Sequence, residues 1–343
     1  MNYVGQAVEN PGADPGRDSP LVSILICTRD RADHLRQTLE SLSQVRVPDE
    51  TPCELIVVDN GSTDDTAQLL ASFRLPQMPL RAICEARPAK MRALNTALAA
   101  ARGRILLSTD DDVRFPPDWI EGLCSPIMRG EADAVAGGIR FAPHLERDWM
   151  TPLHRSRLAS TEGSTKTEGS TKTEGSSVEP EHLIGANMAF SRDVIQKVPA
   201  FDVELGPGAL GFYDDTLFFY QLREAGFRSR TAYRTIVEHH FQESRLKRSS
   251  LEDATRKHAR SAAYVEYHWE HRDVSMLSLR ALKSRLVLLH WRVKNRRRKQ
   301  PEGLSEPEMN ALWSVAFYKQ FALECKRPRN YDKHGLVKRR VHS

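Results

Sequence analysis

The sequence predicts an α/β fold built on a mainly parallel central sheet flanked by helices, and three observations carry that prediction. Residues 21–27 (LVSILIC), 54–58 (ELIVV) and 105–107 (ILL) are continuous apolar runs of strand length, the pattern of strands buried on both faces. Each is followed by a polar segment and then by a helix, so the chain reads as a series of strand–loop–helix units. The polar segments also recur at strand C-terminal ends: Thr28-Arg29, Asp59-Asn60 and Asp110-Asp111-Asp112. That edge is where open α/β sheets bind their ligands.

Taken in order, residues 1–20 are rich in Pro, Gly and Asp and are expected to be a disordered tail. After the first strand, Leu35, Leu39 and Leu42 give helical spacing. After the second, residues 67–73 read as a helix, capped by Ser62 or Thr63. Residues 82–85 form a short strand, and 91–101 an Ala/Leu-rich helix stopped by Gly103. The strand carrying the aspartate triplet follows, then a helix at 119–128 and a strand at 134–141. From Thr161 the chain reads TEGSTK-TEGSTK-TEGSS, which holds no hydrophobe to pack, so residues 160–178 are expected to be a flexible loop. Order resumes at 182–190 (HLIGANMAF), and a glycine-rich loop leads to Asp214-Asp215, which open a helix at 216–225. A strand at 230–237 runs into His239-His240. Beyond about residue 246 the chain is helical and charged, with apolar residues at 279, 282, 286, 289 and 293. Nine Lys or Arg and no acid fall between Arg280 and Lys299, which suits an anionic membrane surface or a solvated basic face on a core helix.

A chain of 343 residues can bury one substantial core plus an appendage, and 40% hydrophobic with 28% charged residues is ordinary globular composition. The net charge of +5 is mild. Five scattered cysteines without a CxxC argue against a disulfide framework or zinc site and for a reducing, cytoplasmic setting. No signal peptide and no apolar run long enough to span a bilayer are expected. Nucleic-acid binding lacks support, because the basic tract is interleaved with a single aromatic, Trp291.

Three consecutive carboxylates repel one another, and the natural compensation is a hard divalent cation, Mg2+ or Mn2+. Such an ion is what a departing nucleoside diphosphate requires, with Asp110 and Asp112 supplying it and its surroundings and His239 or His240 completing the shell or contacting the diphosphate. Asp59 could accept a hydrogen bond from a base or ribose. An attacking hydroxyl needs a carboxylate to take its proton, and Asp214 or Asp215 is the candidate. Each has an ordinary alternative: a turn for Asp59, dipole-favouring first-turn acids for Asp214 and Asp215, a strand-end pair for the histidines.

The ordered segments VSILICTRDR, ELIVVDNGSTDDT, AKMRALNTALAAARGRILLSTDDDV, GANMAFSRDVI, FDVELGPGALGFYDDTLFFYQLREAGFR and VEHHFQESR resemble glycosyltransferase family 2 over residues 21–245. The resemblance implies a GT-A fold and an inverting sugar-nucleotide-dependent enzyme. It implies nucleotide contacts from Thr28, Arg29 and Asp59, and a basic residue at Lys90. Asp110-Asp111-Asp112 would be the DxD motif, with Asp110 near the ribose or sugar and Asp112 on the metal. Gly185-Ala186-Asn187 would line the donor sugar and acceptor, Asp215 would be the preferred base beside Asp214, and His239 would sit near the metal. Position 214 holds Asp where the family usually has Glu. The implied partners are a UDP- or GDP-linked sugar and a glycan or lipid-linked acceptor in cell-surface polysaccharide or glycoconjugate synthesis. The repeat and the basic extension, 246–343, lie outside the pattern; residues 280–299 could hold the protein peripherally on the inner membrane face. The competing readings are a nucleotidyltransferase, disfavoured because CTRDRADH has no glycine, and a non-catalytic membrane- or nucleic-acid-binding protein.

Overall fold

The structure is a computed structural model that describes residues 20–162, 180, 182–296 and 302–339. The expected tail, nearly all of the repeat loop and part of the basic tract lie outside the described residues.

The three apolar runs are strands: β1 (Val22–Thr28), β2 (Cys53–Asp59) and β4 (Ile105–Thr109), with β3 (Leu80–Cys84) on the outer edge. Between them run α1 (Ala32–Leu42), α2 (Thr66–Ser72) and α3 (Lys90–Ala100). Next come β5 (Val113–Arg114), α4 (Trp119–Met128), β6 (Ala134–Phe141), α5 (Pro152–Arg157), β7 (Asn187–Ser191), α6 (Arg192–Lys197), α7 (Asp214–Glu224) and β8 (Ser229–His239). The chain closes with α8 (Arg248–His268), α9 (Leu277–Asn295) and α10 (Glu306–Glu324).

All eight strands form one sheet in the order β3-β2-β1-β4-β7-β6-β8-β5. The first four are mutually parallel. Past β4 the sheet is mixed: β7 is antiparallel to both β4 and β6, β8 is parallel to β6, and β5 is antiparallel to β8. The parallel register sets Thr28 beside Asp59, which aligns their polar segments on one edge.

Alternation along β1 divides the core in two. Ile24 and Ile26 pack with α1 and α4 on one face, through Leu35, Leu39 and Trp119. Leu25 and Cys27 pack with α3 and α7 on the other, through Leu94, Leu98 and Phe218. The C-terminal helices are built onto this second side. Tyr264 of α8 and Tyr331 donate to Asp202 at 2.6 and 2.8 Å, and the Lys338 ammonium reaches the same carboxylate at 2.8 Å.

Two local expectations are corrected. Ser62 and Thr63 do not cap α2; they bond to the Asp30 loop, and Asp64 accepts from Thr66 at the helix start. Gly103 does not end α3 in a left-handed turn, since Ala101 already turns extended. It is glycine because a Cβ there would lie 2.4 Å from the Ser23 nitrogen. The stripe 279–293 on α9 does exist, but it faces solvent; the buried residues of that helix are Ser284 and Leu288.

Candidate active site

The strand ends converge on a cavity of about 430 Å3, lined by Thr28, Arg29, Arg31, Asn60, Lys90, Asp110, Asp111, Asp112, Gly185, Asp214, Asp215, His239 and Arg245 among others. A volume of this size suits a small ligand. Five carboxylates face four cationic side chains across it, so its charge balance is close to zero.

β4 delivers the triplet and the two-residue strand β5 fixes its exit. Because Val113 pairs with His239 on β8, Asp112 is brought against that histidine. The His240 backbone N–H donates to the Asp112 carbonyl at 2.7 Å, which locks the approach. Asp111 and Asp112 are both buried and share one guanidinium. Arg31 donates 2.7 Å bonds to each, and Thr28 Oγ1 donates to Asp111 at 2.7 Å. Burial pushes Asp111 up to about 7 despite Arg31. Burial acts the same way on Asp112, but His239 and Arg31 outweigh it and hold that carboxyl well below the usual range.

Asp110 is ion-paired with Lys90, the first residue of α3. A cation is disfavoured at a helix N-terminus, so the lysine is stabilised there by its acids. Burial lowers its affinity for a proton, but Asp110 and Asp214 outweigh this and raise the ammonium above its ordinary value. The opposite wall comes from the loop at 206–211 and the start of α7. Gly208, at φ +88°, lies so close to α3 that a Cβ would sit 2.9 Å from the Ala89 Cα. Asp215 accepts from the Gly185 N–H at 3.1 Å and from the Thr216 N–H at 2.7 Å, which fixes its orientation. Burial pushes Asp214 up to about 7, with Asp215 adding to the rise. Ala89, Ala159 and Tyr213 all line the cavity with positive φ, a concentration of backbone strain typical of functional sites.

Most expected residues therefore meet here: Thr28, Arg29, Lys90, Asp110, Asp111, Asp112, Gly185, Asp214, Asp215 and His239. Three do not line the cavity. Asp59 accepts from the Ser62 N–H in a turn, and its neighbour Asn60 takes the lining position. Asn187 is fully buried; its amide donates to Gly138 and Thr235 carbonyls and accepts from the Trp119 indole. His240 bonds to Glu238 instead. Sequence reasoning missed Arg31 and Arg245. Arg31 lay within a quoted segment, four residues past the end of an apolar strand. Arg245 follows the histidine pair on a short 3-10 turn, rests against the Phe241 ring at 5.2 Å, and pairs with no carboxylate among the described residues.

A divalent cation fits the donor set. Asp112 Oδ1 is buried without a hydrogen bond, 3.4 Å from His239 Nε2, and His239 Nδ1 is likewise buried and unbonded. No cluster of three or more His, Cys, Asp or Glu ligands exists among the described residues. Ions such as Mg2+ take one or two protein ligands and fill the rest of their shell with water and substrate phosphate.

Comparison with solved structures gives the fold a precedent. The chain superposes on the mannosyltransferase PcManGT from Pyrobaculum calidifontis, solved in complex with GDP-Man and Mn2+, with a TM-score of 0.52 and 18% identity over 94% of this chain and 79% of that one. Its architecture is thus GT-A, with helices added C-terminally. Curated relatives include the glycosyltransferase AglE of Haloferax volcanii (28% identical; 36% of this chain, 40% of AglE) and the succinoglycan biosynthesis protein ExoM of Rhizobium meliloti (30%; 38% of this chain, 42% of ExoM). The matched segments thus span under half the length of these two relatives. The model of Glycosyl transferase family 2 matches residues 23–198, just over half of the chain and the whole run of strands that carries the aspartate triplet. By that match, on a sheet of the GT-A form, the chain belongs to glycosyl transferase family 2.

Proposed function

We propose that this glycosyltransferase moves a sugar from a nucleoside diphosphate donor, UDP- or GDP-linked, to an acceptor hydroxyl in one displacement that inverts the anomeric carbon. The observation that carries this reading is the meeting of Asp110–Asp112 with Asp214-Asp215 in one cavity from segments a hundred residues apart. Residues 21–245 form the proposed catalytic unit and the helices beyond them a brace.

Thr28, Arg29 and Asn60 are placed to receive the nucleotide, with Asp59 shaping the turn beside them. Asp215, held by the Gly185 and Thr216 N–H groups, takes the proton from the acceptor, and Asp214 sits beside it. Lys90 and Arg245 lie where negative charge grows on the departing diphosphate, and fixed charges in a half-enclosed site stabilise it effectively. Asp112 and His239 would hold the divalent cation, Mg2+ or Mn2+, which when bound supplies Lewis-acid stabilisation to the leaving group. The name of ExoM, a succinoglycan biosynthesis protein, supports an acceptor in polysaccharide synthesis.

The test is transfer or hydrolysis with UDP-, GDP- and dTDP-sugars in the presence of Mg2+ or Mn2+, with the product's anomeric configuration read by NMR. Asp215→Asn should lower kcat by about 100- to 10,000-fold with little change in donor KM. Asp112→Ala should abolish turnover. Full activity in both variants would overturn these assignments.

A further inference from the structure

α9 carries two apolar faces where a helix on a protein surface needs one. Its inner face packs Leu288 and Trp291 against Leu251 of α8 and Leu312 of α10. Leu279, Leu282, Leu286, Leu289 and Val293 form a second stripe, and they are 53 to 65% exposed. Their 3-4-3-4 spacing confines them to an arc of about 80° at 100° per residue. On one side of the arc lie Lys283 and Lys294, and on the other Arg285 and Arg292, all exposed. Arg292 is only loosely engaged, 3.9 Å from Glu252. The sequence holds no acid from Val274 to Pro301.

A contiguous exposed stripe on this scale marks an interaction surface. Two occupants fit a stripe with this spacing: a second copy of α9, or the acyl boundary of a bilayer. The flanking charges decide between them. In a coiled coil the positions beside the seam would be Lys283, Arg285, His290 and Arg292, so a second copy would set like charges against each other in either orientation. Anionic headgroups would instead neutralise both flanks while the leucines enter the acyl layer. No described helix is long and apolar enough to cross a membrane, so α9 would lie in the interface plane.

We propose that α9 is a membrane-docking helix that seats this protein on a surface of anionic lipid. The inference stands independently of the reading of the catalytic site. It is tested by flotation of the full chain with phosphatidylcholine vesicles and with vesicles doped with phosphatidylglycerol. The wild type should float at least ten-fold better with the doped vesicles. Leu282→Glu, Leu286→Glu and Leu289→Glu together should abolish flotation, while Tm and donor hydrolysis stay at wild-type values because these side chains touch neither core nor cavity. Lys283→Gln and Arg285→Gln should each weaken binding about five-fold. Equal flotation of the triple variant and the wild type would overturn the proposal. So would a wild-type dimer by light scattering that the triple variant converts to a monomer, which would assign the stripe to a second copy.

Discussion

Asp214 is the half-buried acid whose behaviour the structure specifies most fully. Its carboxyl is pushed up to about 7, first by burial and then by Asp215, with Lys90 pulling the other way. In the unfolded chain an aspartate titrates near 4. The folded protein therefore keeps a proton that the unfolded chain releases between about 4 and 7, and stability linked to this group is full below that window and lost as pH rises through it. Asp214→Asn, always neutral, should match the wild type in thermal unfolding at the acidic end. Its advantage should open between about pH 4 and 7 and stay constant above. A gap that stays flat, or that opens toward acid, would show that Asp214 is ionised throughout.

At the scale of elements, Asn187 shows why strand ends mislead a reader of sequence. The motif Gly-Ala-Asn lies beside the site, but β7 begins at Asn187 and alternation turns its side chain into the sheet's interior. There it ties β6, β8 and α4 together through Gly138, Thr235 and Trp119, and Gly137 leaves room for it, since a Cβ would lie 2.2 Å from its Nδ2. Asn187→Ala should therefore cost on the order of 3 kcal/mol of unfolding free energy in denaturant titration, through the buried groups it leaves unpaired. Donor KM of the folded fraction should be unchanged; a raised KM at wild-type stability would return Asn187 to the site. The strands β1, β2 and β4 were legible because their apolar runs are of strand length, too short for a buried helix, and end in polar turns. The two-residue β5 was not, since Val113-Arg114 has no periodicity and owes its pairing to β8. The carboxylates were legible because triplets and pairs of aspartate are rare and repel. Arg31 and Arg245 were not, because an arginine in a polar loop reads as solvated until its partners are placed around it.

At the scale of the whole molecule, the C-terminal helices and the catalytic sheet share structure. Leu205 and Leu217 pack with Tyr264, Val265 and Tyr331, and the Ser261 hydroxyl accepts from the Phe212 N–H at 3.1 Å beside the cavity wall. The mixed half of the sheet and the α8–α10 layer depend on pairings far apart in sequence, which local patterns cannot announce. Charge placement is also a property of the whole. With five carboxylates opposed by four cationic groups, the cavity projects little field into solvent. A donor chelated to a divalent ion is itself close to neutral, so neither partner gains from long-range attraction. Capture should then be limited by fit, and kcat/KM should change less than about two-fold as ionic strength rises across the range where steered enzymes slow markedly. The four cations among the five acids would thus make this catalyst indifferent to the saltiness of its surroundings, even while the docking proposed for α9 would be sensitive to it.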